Sequence, residues 1–128
     1  MVKNYHMKII FETPRIKFEG ELNDSAAAGK IAAKLPVEAK VNTWGDEIYF
    51  KVPVSCPPEN ATLDVQVGDI AYWPEGGCLC VFFGRTPVSA DNNPKPASEV
   101  NIVGRVAGDV APLKRIKSGE KIMVRKSG

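Results

Sequence analysis

Between Arg15 and Leu22, the residues Ile16, Phe18, Gly20 and Leu22 fall on one parity, and Arg15, Lys17, Glu19 and Glu21 fall on the other. That alternation predicts a strand with one dry and one wet face. The apolar stretch Met7 to Phe11 precedes it across Pro14, so two strands joined by a tight turn are expected. The period then becomes helical. Asn23, Asp24 and Ser25 offer side-chain oxygens as caps, Ala27, Ile31 and Leu35 recur four apart, and Pro36 stops the run. A helix over Ala26 to Leu35 follows. Lys30 and Lys34 lie towards its C-terminal end, where they complement the helix dipole.

Alternation returns at Val37, Ala39 and Val41 and again at Ile48, Phe50, Val52 and Val54, with Gly45-Asp46 between them. This reads as a hairpin. Ser55 to Asn60 contains Cys56-Pro57-Pro58 and is a loop, because adjacent prolines remove backbone donors. Leu63, Val65 and Val67 predict another strand, Gly68-Asp69 a turn, and Ile70 to Trp73 a short strand ended at Pro74. Cys78 to Phe83 is continuously apolar and predicts a strand buried on both faces. Gly84 to Glu99 holds Pro87, Pro94 and Pro96 and exceeds the usual connection of ~4 to 6 residues, a length associated with function or mobility. Val100, Ile102 and Val106 resume a strand, with Gly104 in phase at a bend or close approach. Val110, Leu113 and Ile116 suggest a short closing helix, and Ile122 with Val124 a last strand. The sum is about eight or nine strands with one early and one late helix, which favours a barrel whose open ends are plugged by the helices.

A length of 128 residues fits one domain, 1–128, with residues 1–6 as an irregular extension and Met7 as an alternative start. The net charge of +2 leaves no electrostatic footprint for nucleic acid or an anionic membrane. The basic residues near the end, Lys114, Arg115, Lys117, Lys121, Arg125 and Lys126, read as a solvated face. Three cysteines, Cys56, Cys78 and Cys80, are too few and odd in number for a disulfide framework and point to a reducing, cytoplasmic compartment. No apolar run approaches the ~18 residues of a spanning helix or resembles a signal-peptide core.

Three segments carry a family resemblance. They are Ile16 to Leu35, with strand, acidic cap and helix; Gly68 to Pro87, reading GDIAYWPEGGCLCVFFGRTP; and Val103-Gly104-Arg105-Val106-Ala107-Gly108-Asp109-Val110 followed by Leu113-Lys114-Arg115-Ile116. Together they resemble cyclophilins, and more closely the small prokaryotic cyclophilin-like proteins. The resemblance implies a mainly β fold: a closed eight-stranded antiparallel barrel with two short helices capping the ends.

Cyclophilins isomerise prolyl bonds on the outer face of the barrel. That chemistry needs no nucleophile, only better binding of the twisted imide at the top of a barrier of about 18 to 20 kcal/mol. A cationic donor and an apolar pocket would suffice. Phe83 matches the second phenylalanine of the family's Gln-Phe-Phe motif, but Val81 stands where the glutamine should be. The family's tryptophan and histidine have no counterpart after Phe83, and His6 is distant in sequence. Lys51 falls at the family's arginine, although lysine lacks its planar fork. Gln66 is a second stand-in for the glutamine, and Arg85 a replacement donor at the start of the long loop. Period-two geometry puts Leu79, Val81 and Phe83 opposite Cys78, Cys80 and Phe82, and the groove is expected on the Phe83 side, lined by Tyr49, Trp73, Val81, Phe83 and Arg85.

The expected function is a binding module for a proline-containing peptide or small molecule that lacks the full isomerase set. A divergent isomerase using Arg85, Lys51 or Gln66 and an enzyme acting on a small metabolite in the same groove are the alternatives. No cofactor or metal is expected: Cys78 and Cys80 lack a third ligand, and Gly76-Gly77 leads into a strand rather than a phosphate-binding helix. Asp46, Glu47, Asp64 and Asp69 lie near turns and read as solvated turn formers.

Overall fold

The computed structural model describes residues 7–127; the extension expected over residues 1–6, with His6, lies outside them. The strands are β1 (Met7–Glu12), β2 (Lys17–Leu22), β3 (Val37–Lys40), β4 (Asn42–Thr43), β5 (Glu47–Lys51), β6 (Asp69–Trp73), β7 (Cys78–Phe82), β8 (Asn101–Ala107) and β9 (Lys121–Lys126). Helix α1 (Ala26–Lys34) and a 3-10 turn (Ala111–Arg115) complete the described elements. All strands form one sheet in the order β3-β9-β1-β2-β8-β6-β7-β5-β4. Every pairing is antiparallel. Because β3 returns to touch β5, the sheet is a nearly closed barrel.

The barrel has nine strands, within the eight or nine read from alternation and one more than the resemblance implied, and the two-residue β4 is a strand that alternation did not predict. Three other expectations are corrected. Val37 to Val41 does not pair with Ile48 to Val54: β3 lies on β9, and β5 forms its hairpin with β4. Leu63, Val65 and Val67 form no strand, since only Val65 is buried and the one backbone bridge beside them, Thr62 to Val100, is isolated; β8 and β6 reach this stretch through side chains, Arg105 to the Val67 carbonyl and Asp69 to the Gln66 N–H. The late helix is a five-residue 3-10 turn, Ala111–Arg115, with Pro112 as its second residue, and is too short for a regular α-helix.

The interior follows from alternation. Directly opposed residues on antiparallel strands share a face, and Phe11 with Phe18 on β1 and β2 meet as stacked rings 4.5 Å apart. Ile48 and Phe50 of β5, Ile70 and Tyr72 of β6, and Leu79 and Val81 of β7 fill the same cluster. Ala27, Ala28, Ile31 and Ala32 of α1 and Leu113 of the 3-10 turn join it. Gly104 on β8 meets the expected close approach, because a Cβ there would strike the Glu21 carbonyl oxygen.

Helix α1 is capped twice. The Ser25 hydroxyl accepts from the Ala28 N–H at 3.2 Å, and the Glu59 carboxylate, from the loop after β5, accepts from the N–H groups of Ala26 and Ala27 at 3.0 Å each. These satisfy donors that a helix start leaves open. The loop carrying Glu59 is fixed in turn by Asn101 of β8, whose side chain accepts from Glu59 N–H at 2.8 Å and donates to the Pro57 carbonyl at 3.1 Å.

Candidate functional site

The outer face of β5, β6 and β7 is not bare. Registers Tyr49 to Cys80 and Ala71 to Cys80 put these three side chains on the face opposite Ile48, Val81 and Ile70. Val65 and Val100, from the two long connections, fold over them and make a second apolar cluster with Ala71, Cys80 and Phe82, against which Tyr49, Trp73 and Ile102 pack.

Where this cover stops, a pocket of about 210 Å³ opens, lined by Trp44, Glu47, Tyr49, Trp73, Cys80, Pro96, Ala97, Ser98 and Val100. Tyr49 and Trp73 form its corner, ring centroids 6.3 Å apart and planes at 85°. The Trp73 indole is fixed at both ends: Nε1 donates to Ser98 Oγ at 2.6 Å, and its six-membered ring lies so close over Gly76 that a Cβ there would overlap it. Ser98 belongs to the irregular Gly84 to Glu99 stretch, which thus forms one wall. That wall is pinned at Thr86, whose hydroxyl donates to the Lys95 carbonyl at 2.6 Å.

Glu47 is the chemical surprise. Expected as a solvated turn former, it is only 6% exposed. Its first position on β5, opposite Phe82, turns it into the same outer cluster. Burial lifts its carboxyl from about 4.5 to about 7, partly opposed by a hydrogen bond from the Cys80 thiol. Burial and the neighbouring Glu47 charge push the Cys80 thiol well above its ordinary value, so it stays protonated and donates. Asp69 is also buried rather than solvated; it accepts from Arg105 Nη1 at 2.9 Å and from the Gln66 N–H at 2.8 Å, and desolvation still raises its pKa.

The residues expected to line the groove divide. Tyr49 and Trp73 meet in the pocket. Val81 and Phe83 do not: they are 0% and 6% exposed and belong to the interior cluster. Their shared face was foreseen, but its direction was reversed. The candidate donors scatter. The exposed Lys51 gives its Nζ to the Gly76 carbonyl at 2.7 Å, Arg85 reaches the Ser89 carbonyl at 3.4 Å, and Gln66 donates to Asp64 at 3.2 Å. None of the three lines the pocket.

A nearly closed antiparallel barrel with this order of elements is matched in known proteins, and the sequence profile described as cyclophilin-like matches residues 5–125. The chain belongs to the cyclophilin-like family. A hypothetical protein from Archaeoglobus fulgidus, known from a solution structure, shares 36% identity, and the alignment covers 99% of this chain and 100% of that one with a TM-score of 0.83. No curated protein matches the chain significantly.

Within this cyclophilin-like barrel, sequence reasoning missed Trp44, Glu47, Cys80 and the Pro96 to Ser98 wall as parts of one pocket. One signal was available: Glu47 shares its parity with Tyr49. Among the described residues no cluster of His, Cys, Asp or Glu could hold a metal ion, and no helix is long and apolar enough to cross a membrane. The terminal basic residues are partly paired, Lys121 with Glu38 at 3.0 Å and Arg125 with Glu12 at 3.4 Å.

Proposed function

We propose that this cyclophilin-like chain is a binding module that accepts a small molecule, or one projecting side chain such as a proline ring, in the pocket walled by Tyr49, Trp73 and Glu47. The pocket itself carries this reading. It is mostly apolar, with a few convergent polar groups, as ligand sites are, and at about 210 Å³ it is smaller than the ~300 to 1,000 Å³ that holds drug-sized ligands. Its walls are positioned before any ligand arrives, since Trp73 is held by Ser98 and Gly76. The divergent isomerase has less support, because Lys51, Arg85 and Gln66 are each engaged away from the pocket. The three cysteines are free and buried, which fits a reducing, cytoplasmic setting.

Titration of the isotope-labelled chain with small-molecule fragments and short Xaa-Pro peptides tests the proposal by nuclear magnetic resonance. Saturable shifts should centre on Tyr49, Trp73 and Ser98. Shifts confined to the open cleft between β3 and β5, lined by Val37, Glu38, Lys51 and Val52, would remove it. Isomerisation of an Xaa-Pro peptide that disappears in Arg85→Ala would replace it with the enzyme.

A further inference from the structure

The pocket combines features that need not occur together. A carboxyl buried to 6% exposure shares the pocket with three aromatic residues, Trp44, Tyr49 and Trp73, and no lysine or arginine is among the lining residues. The carboxyl's side-chain bond is to a thiol, a weak donor.

Each kind of ligand meets this arrangement differently. An anion would face Glu47 without a compensating cation. A purely apolar ligand would bury the carboxyl further without giving it a partner, which is unfavourable. A metal ion would find one carboxylate and no second carboxylate or imidazole among the lining residues, and no metal-holding cluster of His, Cys, Asp or Glu occurs among the described residues. A primary ammonium brings three N–H donors, and beyond Glu47 the side-chain oxygens at hand are those of Tyr49 and Ser98, the latter already accepting from Trp73. An N-methylated ammonium has few or no N–H groups to satisfy and is attracted to aromatic faces through their quadrupole. With Tyr49 and Trp73 at 85°, a group in their corner meets the face of one ring or the other.

We infer that the pocket binds an N-methylated organic ammonium, its charge balanced by the Glu47 carboxylate and its methyl groups packed against Trp44, Tyr49 and Trp73. The inference rests on the binding-module reading and names the chemistry of its ligand. Binding then depends on pH in a defined direction. Of the described groups, Cys78 and Cys80 on β7 couple electrostatically to Glu47, and Tyr49 on its own strand shares the pocket. Both thiols are raised by burial and remain protonated, so the affinity for a cation should rise with pH as Glu47 ionises near 7.

The test compares choline with its neutral isostere 3,3-dimethylbutan-1-ol, by calorimetry and by the same resonance shifts, on the full chain. Choline should bind at least tenfold more tightly than the alcohol at pH 8.5 and lose about tenfold or more by pH 5.5. Glu47→Gln should narrow the gap between the two and flatten the pH profile. If that variant does not fold, Tyr49→Leu should weaken choline more than the alcohol. A short peptide carrying trimethyllysine separates a side-chain ligand from a free one: tighter binding than choline assigns the former. Equal affinity for choline and the alcohol, with shifts at Tyr49 and Trp73, overturns the ammonium and leaves the binding module standing. Absence of choline binding overturns the ammonium as well, and the fragment titration then decides the module separately.

Discussion

The two apolar clusters are built by different rules. Inside the barrel, side chains arrive by strict alternation from neighbouring strands, and Phe11, Ile48, Phe50, Ile70 and Leu79 are apolar and fully enclosed. Outside, on the same strands, the cluster around Cys80 and Phe82 is dry only because two irregular connections lie over it, and it admits a carboxyl, a thiol and an indole. The difference teaches where chemistry can be placed in this fold. In the interior the Tyr72 hydroxyl is already engaged, donating to the Val54 carbonyl at 2.8 Å and accepting from the Cys56 N–H at 3.3 Å, whereas a face covered by loops can enclose a polar group and still leave a gap.

The sharpest way to break the comparison is Phe50→Ala, which removes a ring from the enclosed side. Urea denaturation should show a loss of about 3 to 5 kcal/mol, with the pocket's ligand shifts retained below the transition. An equal loss of ligand binding would mean that the two clusters are one unit.

Glu47→Gln sharpens the contrast by pH. Glu47 keeps its proton to about 7 when folded and releases it near 4.5 when unfolded, so the folded state loses stability as pH rises through that window. At pH 8 the full difference corresponds to about 3 kcal/mol, at 1.36 kcal/mol per pH unit. The variant should therefore be more stable than the parent by up to that amount at pH 8, with the gap closing towards pH 4.5. Denaturation at several pH values checks this, and a gap that does not change with pH would contradict it.

The smallest effect is expected from Ser98→Ala, which deletes the acceptor of the Trp73 N–H. A loss of about 0.5 to 1.5 kcal/mol, with faster exchange of the indole proton and unchanged protection of Ile48 and Leu79, would confine the change to the outer side. Protection lost on both sides would erase the distinction.

These two regions also differ in how far the sequence exposes them. Strand β2 and helix α1 were legible because Lys17 to Leu22 alternates cleanly and Ser25 precedes a helical spacing. In β7 legibility fails: Cys78 to Phe82 is buried at every position, and a strand dry on both faces carries no signal of which side points inward. The shared parity of Leu79, Val81 and Phe83 could be read, but their direction depends on Val65 and Val100, which approach from distant parts of the chain. Glu47 was hidden for the same reason. Beside Gly45-Asp46 it looks like a turn residue, but it lies opposite Phe82 on β7 and lines the pocket together with the folded-over Pro96 to Ser98 wall. Residues 63–67 misled in the opposite sense, since alternation without a neighbouring strand to pair with produces only the bridge at Thr62.

The Glu59 carboxylate at the start of α1 has a consequence for the covering loops. Two of the helix's first amides are satisfied by a residue whose own backbone is clasped by Asn101, the neighbour of the pocket-lining Val100. Lifting this clasp from the barrel would strip two capping bonds from α1, which packs against β8, the strand that carries Asn101, so the cover cannot swing open as an independent flap without fraying α1.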